Sequence, residues 1–384
     1  MFGHAVGDEL LKDVGRRLKQ AAGEAFLARL GGDEFTVIVA DGPQPATAEA
    51  LADQLLTAVS ENLIICGHRL LVGLSVGVAV YPTDGADSAT IMANADAALY
   101  RAKSEGRGTA CFFDAETDKR LRDQRALQQD LRSAISRSEL VIDYQPQAHV
   151  NGEITGFEAL VRWHHPTRGI IPPDTFIPLA DESGLVIPIG EWVLREACRE
   201  AASWPQPLQI AVNLSPIQFC HGDLANLVHQ VLLETGLPAN RLELEITETV
   251  LIADFARALS ILRRIKALGV HIAMDDFGTG YSSLSYLQSF PFDKIKIDRG
   301  FISKVHRNPQ SAAIIRAVLG LGRGLHLPVL VEGVETKEQL AFLLSEQCQE
   351  VQGFLIGRPL PIGRYAKVVG RAEELDVLLK VAEG

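Results

Sequence analysis

The chain has 384 residues, enough for two domains that each bury a core, and 47% hydrophobic against 22% charged residues is ordinary for a globular protein in water. A formal net charge of −11 argues against a broad electrostatic footprint for DNA, RNA or an anionic membrane, but leaves room for a small anion held by metals and a few local Arg or Lys side chains. The cysteines Cys66, Cys111, Cys198, Cys220 and Cys348 form no C-x-x-C pair, no apolar run approaches the ~18–20 residues of a membrane span, and no signal-like N-terminus is present, so the expected location is cytoplasmic unless a longer parent protein anchors the chain.

Before Lys119 the pattern is mixed. Residues 10–21 read as a helix, and 26–30 and 35–39 as strands around Gly31-Gly32-Asp33-Glu34, a hairpin signal. Residues 46–60 and 88–103 read as helices and 70–81 as strand-like. This order predicts an α+β domain over 1–114 with an antiparallel-containing sheet. Residues 114–137 are polar, charged and free of Gly and Pro, the composition of a joining helix. The linker is taken as 115–137 and the second domain as 121–384.

From Lys119 onward strand-like and helix-like segments alternate. The strand candidates are 141–145, 156–163, 208–213, 241–247, 270–275, 293–298, 328–332 and 350–353. Amphipathic stretches at 189–202, 224–234, 255–268, 311–325 and 336–345 lie between them. Eight strands with intervening helices over about 250 residues predict a TIM-like (β/α)8 barrel. The first connection is short, so the first strand or two need not be ordinary parallel members.

The apolar run 270–274 ends in Asp275-Asp276-Phe277-Gly278-Thr279-Gly280. Two adjacent carboxylates repel, and a divalent metal pair compensates them, because one carboxylate can bridge ions roughly 3.5–4 Å apart. Taken alone, the pair reads more simply as an exposed acidic turn. Its company favours the metal. Gln145, Glu158, Asn213, Glu245, Asp275, Lys296 with Asp298, Glu332 and Gln352 fall at or near the ends of the eight strands, where barrel active sites are built. Oxygen donors without His or Cys suit Mg²⁺ or Mn²⁺ rather than zinc. Lys296, between Ile295 and Ile297, is expected inside the barrel, in a structural ion pair with one of the acids and, compatibly with that, as a positioned cation beside a metal-bound hydroxide. His164-His165, followed by Pro166, reads as a turn rather than a metal site.

Phe157-Glu158-Ala159-Leu160-Val161-Arg162-Trp163, Asn213-Leu214-Ser215, Glu245-Ile246-Thr247-Glu248, the run from Asp275 to Leu284, Lys296-Ile297-Asp298, Glu332-Gly333-Val334-Glu335 and Gln352-Gly353 together resemble the ordered motifs of EAL domains. That family comprises cyclic di-GMP phosphodiesterases and inactive relatives that bind the same nucleotide, so the alternative is a receptor that does not cut. The resemblance implies two metals, Mg²⁺ or Mn²⁺. Glu158, Asn213, Glu245 and Asp275 would hold one, and Asp275 would bridge to a second held partly by Asp276. It makes Lys296 the residue that orients the attacking hydroxide and Glu332 a base or ligand, with Glu158 essential to catalysis. Gln145, Arg162, Asp298 and Gln352 would contact the dinucleotide, and Glu248 and Glu335 would anchor the Asp-Asp loop. EAL relatives often dimerise near the loop of Phe277 to Leu284, so a homodimer through this domain is expected.

Leu30-Gly31-Gly32-Asp33-Glu34-Phe35 resembles the signature of GGDEF domains, which make cyclic di-GMP from GTP. Gly3-His4 with Gly7-Asp8, Ser75-Val76-Gly77-Val78-Ala79 and Ala98-Leu99-Tyr100-Arg101-Ala102-Lys103 with Gly106-Arg107 also match. The family's first strand, with another metal-binding Asp, would lie upstream of Met1. Its inhibitory product site falls at Ala22 and Ala25. The front domain is therefore expected to be N-terminally truncated and catalytically inactive. Asp8, Asp33, Glu34, Lys103 and Arg107 form a GTP-like site that would bind GTP weakly and regulate the barrel.

Overall fold

The strand-like segments of the second half pair into a closed sheet in the computed structural model, which describes residues 4–60, 63–65, 68–70, 72–278 and 289–372. The chain divides into two units, Met1–Ala126 and Leu127–Gly384. No helix among the described residues is long and apolar enough to cross a membrane.

In the first unit the helix His4–Ala22 buries Val14, Leu18 and Ala22, a four-residue spacing that keeps one face apolar. This face packs with Leu55 and Val59 of the helix Ala46–Ser60 and with Leu63 and Ile65. Strands β1 (Phe26–Gly31) and β2 (Glu34–Ile38) pair antiparallel across a turn that places Gly32 at φ +52°. β3 (Leu63–Ile65) pairs antiparallel with β4 (His68–Leu70), and β5 (Val76–Val78) pairs parallel with β6 (Ala110–Phe112). The strand-like stretch expected over 70–81 thus splits into the end of β4 and β5, and β6 was not foreseen because three residues carry too little periodicity. The helix Ser88–Ser104 lies on β5 so closely that a Cβ on Gly77 would sit 2.1 Å from the Ala95 carbonyl oxygen. The unit is α+β, as expected.

The helix Ala115–Ala134 begins in the first unit, and its buried Leu127, Leu131 and Ala134 belong to the core of the second. That core lies in and around a barrel of β7 (Leu140–His149), β8 (Ile154–His165), β10 (Gln209–Leu214), β11 (Leu242–Thr247), β12 (His271–Phe277), β13 (Lys294–Ile297), β14 (Val329–Val331) and β15 (Glu350–Gln352), with β9 (Gly169–Ile171) appended to β8. Pairing of β8 with β10 and of β15 with β7 closes the ring. β7 runs antiparallel to both neighbours, because its connection to β8 is a hairpin too short for a crossover helix, and the remaining ring strands are parallel. The helix Val186–Ala202 shows how the outer layer forms: Val186, Ile189, Val193, Ala197 and Ala201 bury one stripe toward the sheet.

Candidate active site

Successive side chains of a strand alternate faces, so Glu245 of β11, Lys296 of β13 and Gln352 of β15 reach the barrel interior while their immediate neighbours in sequence point the other way. Lys296 is completely buried. Its Nζ lies 2.6 Å from Glu245 Oε2, 2.7 Å from Glu332 Oε1, 3.3 Å from Asp275 Oδ1 and 3.9 Å from Glu158 Oε2. An unpaired ammonium at this depth costs several kcal/mol, so the acids around it are a condition for the fold. Glu158, Glu245, Asp275, Asp276 and Glu332 set five carboxyls against this one ammonium, a formal excess of four negative charges when all are ionised.

A hydrogen-bonded band holds the acids in place. Glu158 Oε1 accepts from Asn213 Nδ2 at 2.6 Å and its Oε2 from Gln352 Nε2 at 2.5 Å. Gln352 Nε2 also donates to Gln145 Oε1 at 3.2 Å, and Gln147 Nε2 donates to Gln352 Oε1 at 3.1 Å and Glu245 Oε1 at 3.3 Å. Gln147 is a site residue that the sequence reading passed over, although it stands two places beyond Gln145 on the same face of β7. Gln145 and Glu158 lie within their strands rather than at the ends, and the antiparallel register brings them opposite each other.

The Asp-Asp pair depends on a local break in the pleat. On a regular strand Asp275 and Asp276 would point to opposite faces. Here the pairing of β12 with β13 slips between Met274 and Phe277, and Asp276 takes φ +54°, a left-handed conformation costing a non-glycine residue roughly 1–2 kcal/mol. Carboxylate oxygens of Asp275, Asp276 and Glu332 consequently lie within 4.8 Å of one another. Glu248 Oε1, at the head of the helix Glu248–Ala253, accepts from the Gly278 amide at 3.5 Å and tethers the residue after the pair.

Crowding sets the protonation. Burial pushes the Glu332 carboxyl up to about 8 against the pull of Lys296, and burial with the charge of Asp275 pushes Asp276 up to about 6. Glu245 is raised well above the carboxylate range by burial and by Glu158. Burial also acts to raise Glu158, but Lys296 and the hydrogen bonds from Gln352 and Asn213 outweigh it and hold that carboxyl low. Burial opposes the charge on Lys296, and its ring of acids raises the ammonium pKa well above normal nonetheless. Asp275 Oδ1 is buried and accepts no hydrogen bond, with only the ion-pair contact to Lys296 beside it. An open acceptor within a hard-oxygen cluster carrying excess negative charge fits a divalent cation.

The other expected residues are placed differently. Arg162 Nε pairs with Asp143 Oδ2 at 3.1 Å, and Asp298 caps the helix Arg299–Ile302 by accepting from the Gly300 amide at 2.9 Å. Glu335 is exposed, and the loop it was expected to anchor continues into 279–288, outside the described residues. His164 and His165 end β8, and the turn begins only at Pro166. His165 is buried, with Nε2 3.2 Å from Asp130 and Nδ1 accepting from the amides of Thr167 and Arg168. In the first unit Asp8, Asp33, Glu34, Lys103 and Arg107 are all exposed, with Asp33 and Glu34 at the hairpin tip. A cavity of about 430 Å³ lined by Gly322, Arg323, His326, Val329 and Gln349 opens beside the starts of β14 and β15 and shares no residue with the carboxylate cluster.

A closed barrel with one antiparallel strand and acids at its mouth, following an α+β unit, is the arrangement of tandem GGDEF–EAL proteins. The family description "EAL domain" matches residues 128–359, and "Diguanylate cyclase, GGDEF domain" matches residues 1–109, so the chain belongs to the EAL family and carries a GGDEF domain ahead of the barrel. It is 57% identical over 363 residues to an uncharacterized signaling protein of Caulobacter vibrioides, covering 94% of this chain and 45% of that protein. It is 44% identical over 366 residues to MucR of Pseudomonas aeruginosa, a bifunctional diguanylate cyclase/cyclic di-GMP phosphodiesterase, covering 94% of this chain and 53% of MucR. The chain spans about half the length of the curated relatives it matches. The solved phosphodiesterase of MucR in complex with c-di-GMP aligns with a TM-score of 0.61 at 46% identity, over 62% of this chain and 99% of that one.

Proposed function

We propose that the barrel is a metal-dependent phosphodiesterase that opens cyclic di-GMP to linear pGpG. The observation that carries this reading is the group of Asp275, Asp276 and Glu332 beside a buried Lys296, in a chain similar along its barrel to a phosphodiesterase solved with that nucleotide. Glu158, Asn213, Glu245, Asp275 and Asp276 would hold two ions, Mg²⁺ or Mn²⁺. Such a pair, when bound, would neutralise the phosphodiester and lower the pKa of a water. Lys296 keeps its proton and directs an N–H toward the attacking oxygen. Glu332, whose carboxyl lies 2.7 Å from Lys296, takes the proton that this oxygen loses. Arg162 exchanges Asp143 for a phosphate, Gln145, Gln352 and Asp298 orient the nucleotide, and Glu248 and Glu335 steady the Asp-Asp loop. Attack breaks one P–O3′ bond and yields a 5′-phosphate and a 3′-hydroxyl.

The front domain, over 1–114, takes no part in this chemistry and binds GTP weakly through Asp33, Lys103 and Arg107, together with Asp8 and Glu34. All five side chains are exposed and so open to a nucleotide in solvent. The linker, over 115–137, joins it to the barrel domain, over 121–384, and the working unit is a cytoplasmic homodimer through the barrel. Incubation with cyclic di-GMP and Mg²⁺ or Mn²⁺, followed by chromatography, tests the main reading. pGpG is expected; tight binding with no product would make the protein a receptor instead.

A further inference from the structure

The barrel interior contains a second charged layer that the proposed reaction does not use. β11, β13 and β15 each contribute two residues spaced two apart: Glu243 and Glu245, Lys294 and Lys296, Glu350 and Gln352. This spacing puts both members of each pair on the same face, and layers fed by alternate strands are how such barrels fill their interiors. Glu245, Lys296 and Gln352 belong to the site. Their partners, one layer toward the strand N-termini, form a separate cluster, with Lys294 Nζ 2.9 Å from Glu243 Oε2 and 3.0 Å from Glu350 Oε2. Lys294 and Glu243 are buried as deeply as the site itself.

Stability alone is a weak reason for this layer. A buried ion pair can often be replaced by apolar residues of similar volume without loss, because desolvation consumes most of the Coulombic gain. What the layer does control is the choice of partners open to Lys296. Two residues along a strand is about 6.6 Å, within range of a flexible four-carbon side chain, so Glu243 and Glu350 are competing acceptors for its ammonium.

The geometry points to Lys294 as a positioning residue: by occupying Glu243 and Glu350 it keeps the Lys296 ammonium turned toward Glu245, Asp275 and Glu332. Its kinetic consequence rests on the phosphodiesterase reading; its structural consequence does not. Lys294→Met leaves two acids below Lys296 without a cation and draws its Nζ away from the mouth. Glu243→Gln with Glu350→Gln leaves Lys294 without an anionic partner, free to compete for Glu245. The triple change Glu243→Gln/Lys294→Met/Glu350→Gln removes both the competing acids and the competing cation, so Lys296 returns to its place.

Crystal structures of the full chain and these variants read the position of Lys296 Nζ directly, and turnover of cyclic di-GMP reads its consequence. Both unbalanced variants are expected to shift Nζ and to lower kcat roughly 10–100-fold with KM within about 2-fold, and the neutral triple variant to restore both. If Lys294→Met does not fold, the Glu243→Gln/Glu350→Gln pair carries the same comparison. Nζ unmoved in the unbalanced variants, or a triple variant as impaired as they are, overturns the proposal. Nζ shifting and returning as described, with no pGpG from any form including the parent, upholds it and removes the phosphodiesterase reading instead.

Discussion

The barrel mouth and the front-domain hairpin both carry an acidic signature beside glycines, and their physical situations are opposite. At the mouth, Glu158, Glu245 and Asp275 are buried around one ammonium; burial and the charge of Glu158 raise the Glu245 carboxyl well above the usual carboxylate range, while Lys296 and its hydrogen bonds hold Glu158 low. At the hairpin, Asp33 and Glu34 stand in solvent, and Asp8, Lys103 and Arg107 are exposed as well. Water screens charges at the hairpin, and the low-dielectric barrel amplifies them. A motif names residue types; burial decides how strongly their charges interact.

If that contrast holds, the two regions respond very differently to substitution. The largest effect is expected at Glu158, where Ala removes a carboxylate that accepts from both Asn213 and Gln352, and turnover should fall by roughly 10³-fold or more. Retained activity in Glu158→Ala would show that the ligand set is wrong. Lys296→Ala comes next: kcat should drop about 10²-fold or more, while Mn²⁺ affinity measured by calorimetry holds or rises because a competing cation has gone. An equal loss of metal affinity and rate would reduce Lys296 to a structural role.

A pH series sharpens the comparison from the side of stability. Asp276, raised from 3.8 to about 6, and Glu332, raised from 4.5 to about 8, make the metal-free fold bind more protons than the unfolded chain. Their stabilising contribution is complete below the ordinary carboxylate range and is lost as pH rises through about 6 and then about 8. Mn²⁺ relieves the repulsion once those groups ionise, so the rise in Tm on adding Mn²⁺ should be greater at pH 8 than at pH 6. An equal or reversed increment would contradict the assigned crowding. The smallest effect is expected at the hairpin: Asp33→Asn should change stability by less than about 0.5 kcal/mol and leave turnover of cyclic di-GMP unchanged. For the proposed dimer, specific activity should decline on dilution in step with dissociation seen by light scattering, and a fully active monomer would remove it.

Much of the barrel could be read in the sequence because its strands are buried runs, each of which the structure reproduces with ends shifted by a few residues. The short first connection was a usable signal for the antiparallel β7. Elements of a few residues, such as β6, β9 and the helix Arg299–Ile302, lie below the length at which periodicity registers. The left-handed turn at Asp276 was illegible for a different reason: the apolar run before it reads as continuing strand, and the register slip against β13 is a tertiary feature. Gln147, Glu243, Lys294 and Glu350 are legible in principle, each two places along a strand from a site residue, but they stand outside the motifs that mark the site.

In the proposed reaction water attacks phosphorus within the barrel, and an isotope label in the product reads that attack. The full chain, given cyclic di-GMP and Mn²⁺ in ¹⁸O-enriched water, should yield pGpG with a single ¹⁸O in its 5′-phosphate by mass spectrometry, and none once the metal is chelated. Recovery of unlabelled, intact cyclic di-GMP from protein that demonstrably binds it would contradict the account.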